Sequence, residues 1–279
     1  MRQKPANGPI DDGGFIESVR FIDEESINWD TYPFTIPAVL ALPKISLKNP
    51  INIFVGENGS GKSTIVEALA GMLGINAEGG SKNYNFSTTQ TDSILKEHLG
   101  AKRSFKREGF AYFLRAETMY NVFTEMGFQN DAGANDLLLE NEKLYKNGVY
   151  EGPNISNYRD MSKYGHGRMH SMSHGESFFE QLTQFRKNGL YILDEPEAAL
   201  SPSRQLATVK LLHDLAYRQE CQIFLATHSP ILAAIPDAQI LQLTSDGIEE
   251  IAYEDTELYR TYWAFMKNPG TFIDRLFRD

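Results

Sequence analysis

The stretch Gly56-Glu57-Asn58-Gly59-Ser60-Gly61-Lys62-Ser63-Thr64 constrains this chain more than any other. It fits the phosphate-binding loop pattern, with Gly56 opening the loop and Gly61-Lys62-Ser63 closing it. Ile51-Asn52-Ile53-Phe54-Val55 before it reads as a buried strand. Ile65, Val66, Leu69, Met72 and Leu73 after it recur at helical spacing until Gly74. Strand, glycine loop and helix are the context that the pattern needs. The glycines let backbone N–H groups curl around phosphate oxygens, and the helix N-terminus adds its positive end. In that geometry Lys62 supplies charge to the outer phosphates, and the Ser63 hydroxyl is placed to ligate Mg²⁺. The bland alternative is a glycine-rich turn before an ordinary helix, and the well-formed flanks argue against it.

The second half of the sequence carries matching chemistry. Leu190-Tyr191-Ile192-Leu193 is a buried strand that ends in Asp194-Glu195-Pro196-Glu197. Downstream of a phosphate loop, such a strand end is expected to have Asp194 hold Mg²⁺ through water, opposite Ser63. Glu195 is then expected to orient or deprotonate an attacking water. A second buried strand, Ile223 to Ala226, ends in Thr227-His228-Ser229. In open α/β sheets ligands bind at the carboxyl edge, so His228 could meet the γ-phosphate or the water there. Ser173-His174-Gly175-Glu176 precedes the apolar face Phe178, Phe179, Leu182, Phe185, and Ser with Glu three residues on is a capping box. Ser201-Pro202 makes a cap and first-turn start for a helix whose Leu206, Val209, Leu212 and Leu215 are expected to point inward.

Elsewhere the pattern predicts a loose polar arm at the N-terminus, a strand over Phe15 to Phe21, and short edge strands and turns around Trp29, Tyr32 and Phe34. One of these aromatics could stack on an adenine, although packing against neighbours is the commoner role. A short helix is expected over Ser93 to Leu99 and a strand over Phe110 to Leu114; the basic cluster Lys102, Arg103, Lys106 and Arg107 between them could meet a nucleic acid or an acidic partner, although a solvated turn is the commoner role. Further strands are expected at Ile240 to Leu243 and Ile248 to Tyr253, and aromatic helical sequence closes the chain. His166 and His170 lie four apart without an acidic companion, which favours polar loop residues over metal ligands.

With 279 residues, 41% of them hydrophobic, the chain can bury a sizeable core. A net charge of −10 argues against a broadly basic nucleic-acid-coating surface. The single cysteine, Cys221, excludes an internal disulfide and a cysteine-based zinc site. The polar start shows no apolar signal core, and no run approaches the length of a membrane span. The expectation is a cytoplasmic protein without membrane insertion.

The phosphate loop, the Asp194-Glu195 strand end with Ser173 just before it, and His228 after the next strand together resemble the ATP-binding-cassette ATPases. Asn76-Ala77-Glu78-Gly79-Gly80-Ser81, Phe113-Leu114-Arg115-Ala116-Glu117, Ser173-His174-Gly175-Glu176-Ser177 and Leu193 to Pro202 are similar to those of a narrower group. These are stand-alone bacterial predicted ATPases of the SMC-like/RecF-like branch. The resemblance covers most of the chain from about Phe34 onward.

It implies an α/β P-loop ATPase head with a mixed core sheet, an N-terminal antiparallel β region and a short, mainly helical insertion. The corresponding divisions are 1–117 and 172–279 for the ATPase domain and 118–171 for the insertion. It implies ATP and Mg²⁺ as ligands, with Glu57, Asn58, Gly59, Ser60, Gly61, Lys62, Ser63 and Thr64 around the phosphates. Catalysis would fall to Glu195, His228 and Lys62, and the metal to Ser63, Asp194 and Glu117. It also implies a head-to-tail homodimer in which Ser173 and Gly175 of one chain face the phosphate loop of the other, and Ala199-Leu200-Ser201 crosses between them. The signature departs from Leu-Ser-Gly-Gly-Gln, since His174 replaces the first Gly and Glu176 the Gln. Glu117, with Gln90 as the weaker candidate, stands where the family usually has a Gln.

The function expected is Mg²⁺-dependent ATP hydrolysis whose dimerisation acts on a protein or DNA partner, in DNA repair or defence. The alternative is an ATP-gated binding switch with little intrinsic turnover. A membrane transporter's ATPase subunit fits less well.

Overall fold

Apolar runs that are continuous rather than alternating need cover on both faces, and four such runs form the centre of this fold. The computed structural model describes residues 14–75, 80–81, 94–116 and 174–277. In chain order its strands are β1 (Ile16–Phe21), β2 (Ile51–Gly56), β3 (Gly80–Ser81), β4 (Leu99–Arg103), β5 (Phe110–Arg115), β6 (Gly189–Asp194), β7 (Gln222–Ala226), β8 (Gln239–Thr244) and β9 (Gly247–Glu250). Its helices are α1 (Pro37–Ala41), α2 (Lys62–Met72), α3 (His174–Thr183), α4 (Pro202–Arg218), α5 (Pro230–Ala233), α6 (Glu257–Lys267) and α7 (Pro269–Leu276).

Seven strands form one sheet in the order β3-β5-β6-β7-β2-β8-β9. The strands from β5 to β8 run parallel, with β3 and β9 antiparallel at the edges. Strands from both sides of residues 118–171 therefore interleave in a single α/β sheet. β1 and β4 make a separate antiparallel pair, which is the N-terminal β region expected from the sequence. Residues 118–171, expected as an insertion, lie outside the described residues.

Alternation along each strand divides the core. Phe54, Phe113, Ile192 and Phe224 face α2, β1 and β4 on one side of the sheet. Ile53, Val55, Leu193 and Leu225 face α3, α4 and α5 on the other. Burying each such side chain contributes roughly 1.5–3 kcal/mol, so the sheet is the rigid base on which the loops at its ends are built. Gln222 stitches the β1 region to it. Its side chain accepts from Ile16 N at 2.8 Å and donates to Ile16 O at 2.9 Å and Leu47 O at 2.7 Å, all buried.

Several local expectations are corrected. Residues 29–34 form no edge strand: Trp29 and Phe34 pack edge-on against each other and against Phe21, and the chain continues into α1. The helix expected over Ser93 to Leu99 is a 3-10 turn, Ile94–His98, running straight into β4, so Lys102 and Arg103 lie on or at the end of a strand. The last strand stops at Glu250, and a further 3-10 turn begins at Tyr253. On α4, Leu206 is 63% exposed while Gln205 and Thr208 are buried. Gln205 has a partner there, donating to Leu200 O at 2.9 Å, while Thr208 satisfies its hydroxyl within the helix by donating to Arg204 O at 2.9 Å.

Candidate active site

β2, β6 and β7 are parallel neighbours, so their carboxyl ends lie along one edge. That edge presents Gly56, Asp194 and Ala226, each followed by a segment that the sequence singles out. β7 sits between β2 and β6, which places the histidine loop between the phosphate loop and the acidic strand end.

The phosphate loop closes tightly over its own lysine. Gly61 has φ +100°, a left-handed conformation that disfavours any side chain, and it caps the start of α2. At Gly56 an added Cβ would fall 2.7 Å from Leu243 O, so β8 also requires glycine there. Lys62 is 3% exposed and folds back across the loop, donating to Gly56 O at 3.0 Å and Glu57 O at 2.9 Å. Burial lowers its pKa, while the charges of Glu195, Asp194 and Glu197 act against that shift. The ammonium is thus held by carbonyl oxygens and the field of three carboxylates.

Ser63, on the first turn of α2, donates to Asp194 Oδ1 at 3.2 Å. Asp194 is 3% exposed. Its other oxygen, Oδ2, accepts from Arg115 Nε at 2.9 Å and Nη2 at 2.8 Å. Arg115 Nη2 also pairs with Glu67, one turn beyond Ser63 on α2. Parallel pairing sets Arg115 beside Asp194 in register. Sequence pattern alone singles out neither Arg115 nor Glu67 for this role. The signals present in it are that the β5 run ends on Arg115 and that Glu67 follows Ser63 by four residues on one helix face.

Glu195 adopts φ 47°, ψ 51°, a left-handed conformation uncommon for a side-chain-bearing residue and a form of strain that clusters at functional sites. Its N–H donates to Ala226 O at 2.9 Å, which tethers the turn to the end of β7. His228 Nε2 lies 3.4 Å from Glu195 Oε1. Burial, and then the charge of Lys62, lower the His228 pKa against the opposing pull of Glu195 and Asp194, so the imidazole is neutral near pH 7. The contact is accordingly an approach rather than an ion pair, and Nε2 has no hydrogen-bond partner among the described residues. Ser60 Oγ in the loop is buried and equally unpartnered. Two orphaned polar atoms, together with an open cleft lined by Glu57, Asn58 and His228, describe a place for a polar ligand.

A magnesium ion fits this donor set. Ser63 Oγ and Asp194 Oδ1 are hard oxygens 3.2 Å apart, and Mg²⁺ is typically held by one or two protein oxygens with phosphate and water completing the shell. The described residues contain no cluster of three or more His, Cys, Asp or Glu that could hold a metal alone. Thr64 Oγ1 meets the hydroxyl of the exposed Tyr32 at 3.1 Å. Glu117, Ser173 and the weaker candidate Gln90 lie outside the described residues, as do His166 and His170, while Gly175 is on the first turn of α3.

The profile of a family described as AAA domain matches residues 39–211. The lipoprotein-releasing system ATP-binding protein LolD of Ehrlichia ruminantium is 26% identical over 206 residues, covering 72% of this chain and 84% of that one. The OLD nuclease of Thermus scotoductus is 40% identical over 65 residues, which are 23% of this chain and 12% of that one. A solved metal-chelate type ABC transporter in an inward-facing conformation shares 20% identity and a TM-score of 0.42 over 78% of both chains.

Proposed function

The chain belongs to the AAA domain family and is an ATPase of the ABC-type superfamily, and from that premise we propose that ATP closes two copies head to tail in a Mg²⁺-dependent cycle that acts on a partner. The supporting observation is the convergence of Lys62, Ser63, Asp194, Glu195 and His228 on one sheet edge.

Glu57 to Thr64 wrap the phosphates, and Lys62 sets its ammonium against their outer oxygens. Ser63 and Asp194 hold Mg²⁺, which when bound neutralises phosphate charge, with Glu117 as a further oxygen donor. Glu195 takes the proton of the attacking water, and neutral His228 orients that water or the γ-phosphate. Ser173 and Gly175 at the head of α3 act on the ATP of the second copy. Residues 1–117 and 172–279 constitute the ATPase domain, with 118–171 inserted.

The motif set supports the SMC-like/RecF-like branch, and a protein or DNA partner follows from it. No described helix is long and apolar enough to cross a membrane. The test is light scattering of the Glu195→Gln variant with and without ATP and Mg²⁺. A dimer that forms only with ATP is expected. A strictly monomeric species well above the ATP affinity would overturn the reading. Closure by the wild-type chain with negligible turnover would convert it to an ATP-gated switch.

A further inference from the structure

Glu197 adds its charge to the field at Lys62, but its oxygens are bonded elsewhere. It lies in the 3-10 turn Pro196–Ala199, directly after Glu195, and its carboxylate is used entirely within the protein. Oε2 accepts from Thr227 Oγ1 at 2.8 Å, and Oε1 accepts from the backbone N–H of His228. Thr227 Oγ1 in turn accepts from Ser229 N at 3.0 Å. The loop after β6 is therefore tied to the loop after β7 at the residue that carries the imidazole. Nothing in the folding of β7 itself requires an acidic partner there, since its own strand pairing is complete at Ala226.

We propose that Glu197 is a positioning residue: its two oxygens fix the Thr227-His228 backbone so that the imidazole stands 3.4 Å from Glu195. Both oxygens already accept hydrogen bonds from Thr227 and His228, and each such bond lowers the basicity left for an attacking water, so this role favours Glu195 over Glu197 as the general base. The need is for an acceptor at the His228 N–H and a hydrogen-bonding group at the Thr227 hydroxyl, not for a charge. Burial raises the Glu197 pKa, with the hydrogen bonds from His228 and Thr227 opposing, which means the ionised form is held there at a cost. An amide would serve the His228 N–H as well through its carbonyl oxygen, and the Thr227 hydroxyl can reorient to accept from its NH₂ group. The proposal rests on the reading of His228 as a member of the hydrolytic site.

The experiment compares Glu197→Ala, Glu197→Gln, His228→Ala and the double variant Glu197→Ala/His228→Ala. Steady-state ATP hydrolysis is combined with proton NMR titration of the His228 ring, assigned by its absence from His228→Ala. Glu197→Ala is expected to lower kcat by roughly 10- to 100-fold while KM for ATP stays within about threefold, the size of a missing positioning or acid–base contribution. Glu197→Gln is expected to restore kcat to within about threefold of the natural chain, as a base could not. The double variant should be no slower than the slower single one. The His228 titration should differ between Glu197→Ala and Glu197→Gln, which lack the same charge but not the same acceptor. An identical titration in those two variants, or a Gln variant as slow as the Ala variant, overturns the proposal. A His228→Ala variant with natural kcat would instead remove His228 from the hydrolytic site, and the NMR comparison would still decide whether Glu197 positions it.

Discussion

Arg115 and Asp194 are side-by-side partners on adjacent parallel strands, and the guanidinium donates two hydrogen bonds to the single oxygen Oδ2. That leaves Oδ1 turned to Ser63, the direction in which a metal held by both residues would lie. The geometry of Asp194 is therefore set from the side opposite Ser63.

Removing the guanidinium leaves a nearly buried carboxylate without its main partner. The Arg115 side chain is 17% exposed and that of Asp194 4%, so solvent screening is weak. Arg115→Met should cost about 2–4 kcal/mol of stability, less than a fully isolated buried pair because Ser63 and the charge of Lys62 remain. Urea denaturation is the measurement. A change below about 0.5 kcal/mol would mean that the ion pair contributes nothing net.

Lys62→Ala should weaken ATP binding by roughly 100-fold, the worth of one charge-assisted hydrogen bond to an anion. Calorimetric titration with ATP gives the affinity directly. Equal affinity in the variant would take the ammonium out of the phosphate site. The fold should survive, because the two carbonyls that Lys62 meets, Gly56 and Glu57, lie at the loop surface end of β2 and can take water instead.

What the sequence could and could not convey follows from where each feature is encoded. The phosphate loop, the Asp194-Glu195 end and the His228 loop are each written in a few consecutive residues behind a continuous apolar run, so they were legible. The interactions of Arg115 and Glu197 depend on strand order, on β6 lying between β5 and β7, and local pattern does not fix that order. The polar inward face of α4 escapes the sequence for a related reason. Gln205 is buried only because Leu200 O accepts from it and Ser229 Oγ donates to it at 2.6 Å, and both come from neighbouring loops. Hydrophobic spacing alone therefore selects Leu206, which faces solvent.

Glu195→Gln should retain ATP affinity and lose about 10²- to 10⁴-fold in hydrolysis, since the amide keeps the shape of the carboxylate and not its basicity. Phosphate release assays with a single ATP loading separate this from a binding defect. Release at the natural rate would place the base elsewhere. Glu117 would then be tested next, ahead of Glu197, whose oxygens already accept from Thr227 and His228.

The last expectation concerns stability against pH. Burial raises the Glu197 carboxyl pKa above its ordinary value of 4.5, so between that value and the folded one the native state binds more protons than the unfolded chain. Stability contributed by this group therefore falls as pH rises through that window and then levels off. His228 acts in the opposite direction. Burial and the Lys62 charge hold its pKa below 6.5, so the unfolded chain binds the extra proton, and stability rises as pH climbs toward 6.5. Taking the difference between Glu197→Gln and the natural chain removes the His228 contribution to first order and isolates the carboxylate. That difference should favour the Gln variant increasingly as pH rises from about 4.5, and reach a plateau once Glu197 is ionised in the natural chain. Urea midpoints measured at half-unit steps from pH 4.5 to 8 would display it. A flat difference across that range would show that the Glu197 carboxylate is as well solvated in the folded protein as in the unfolded chain.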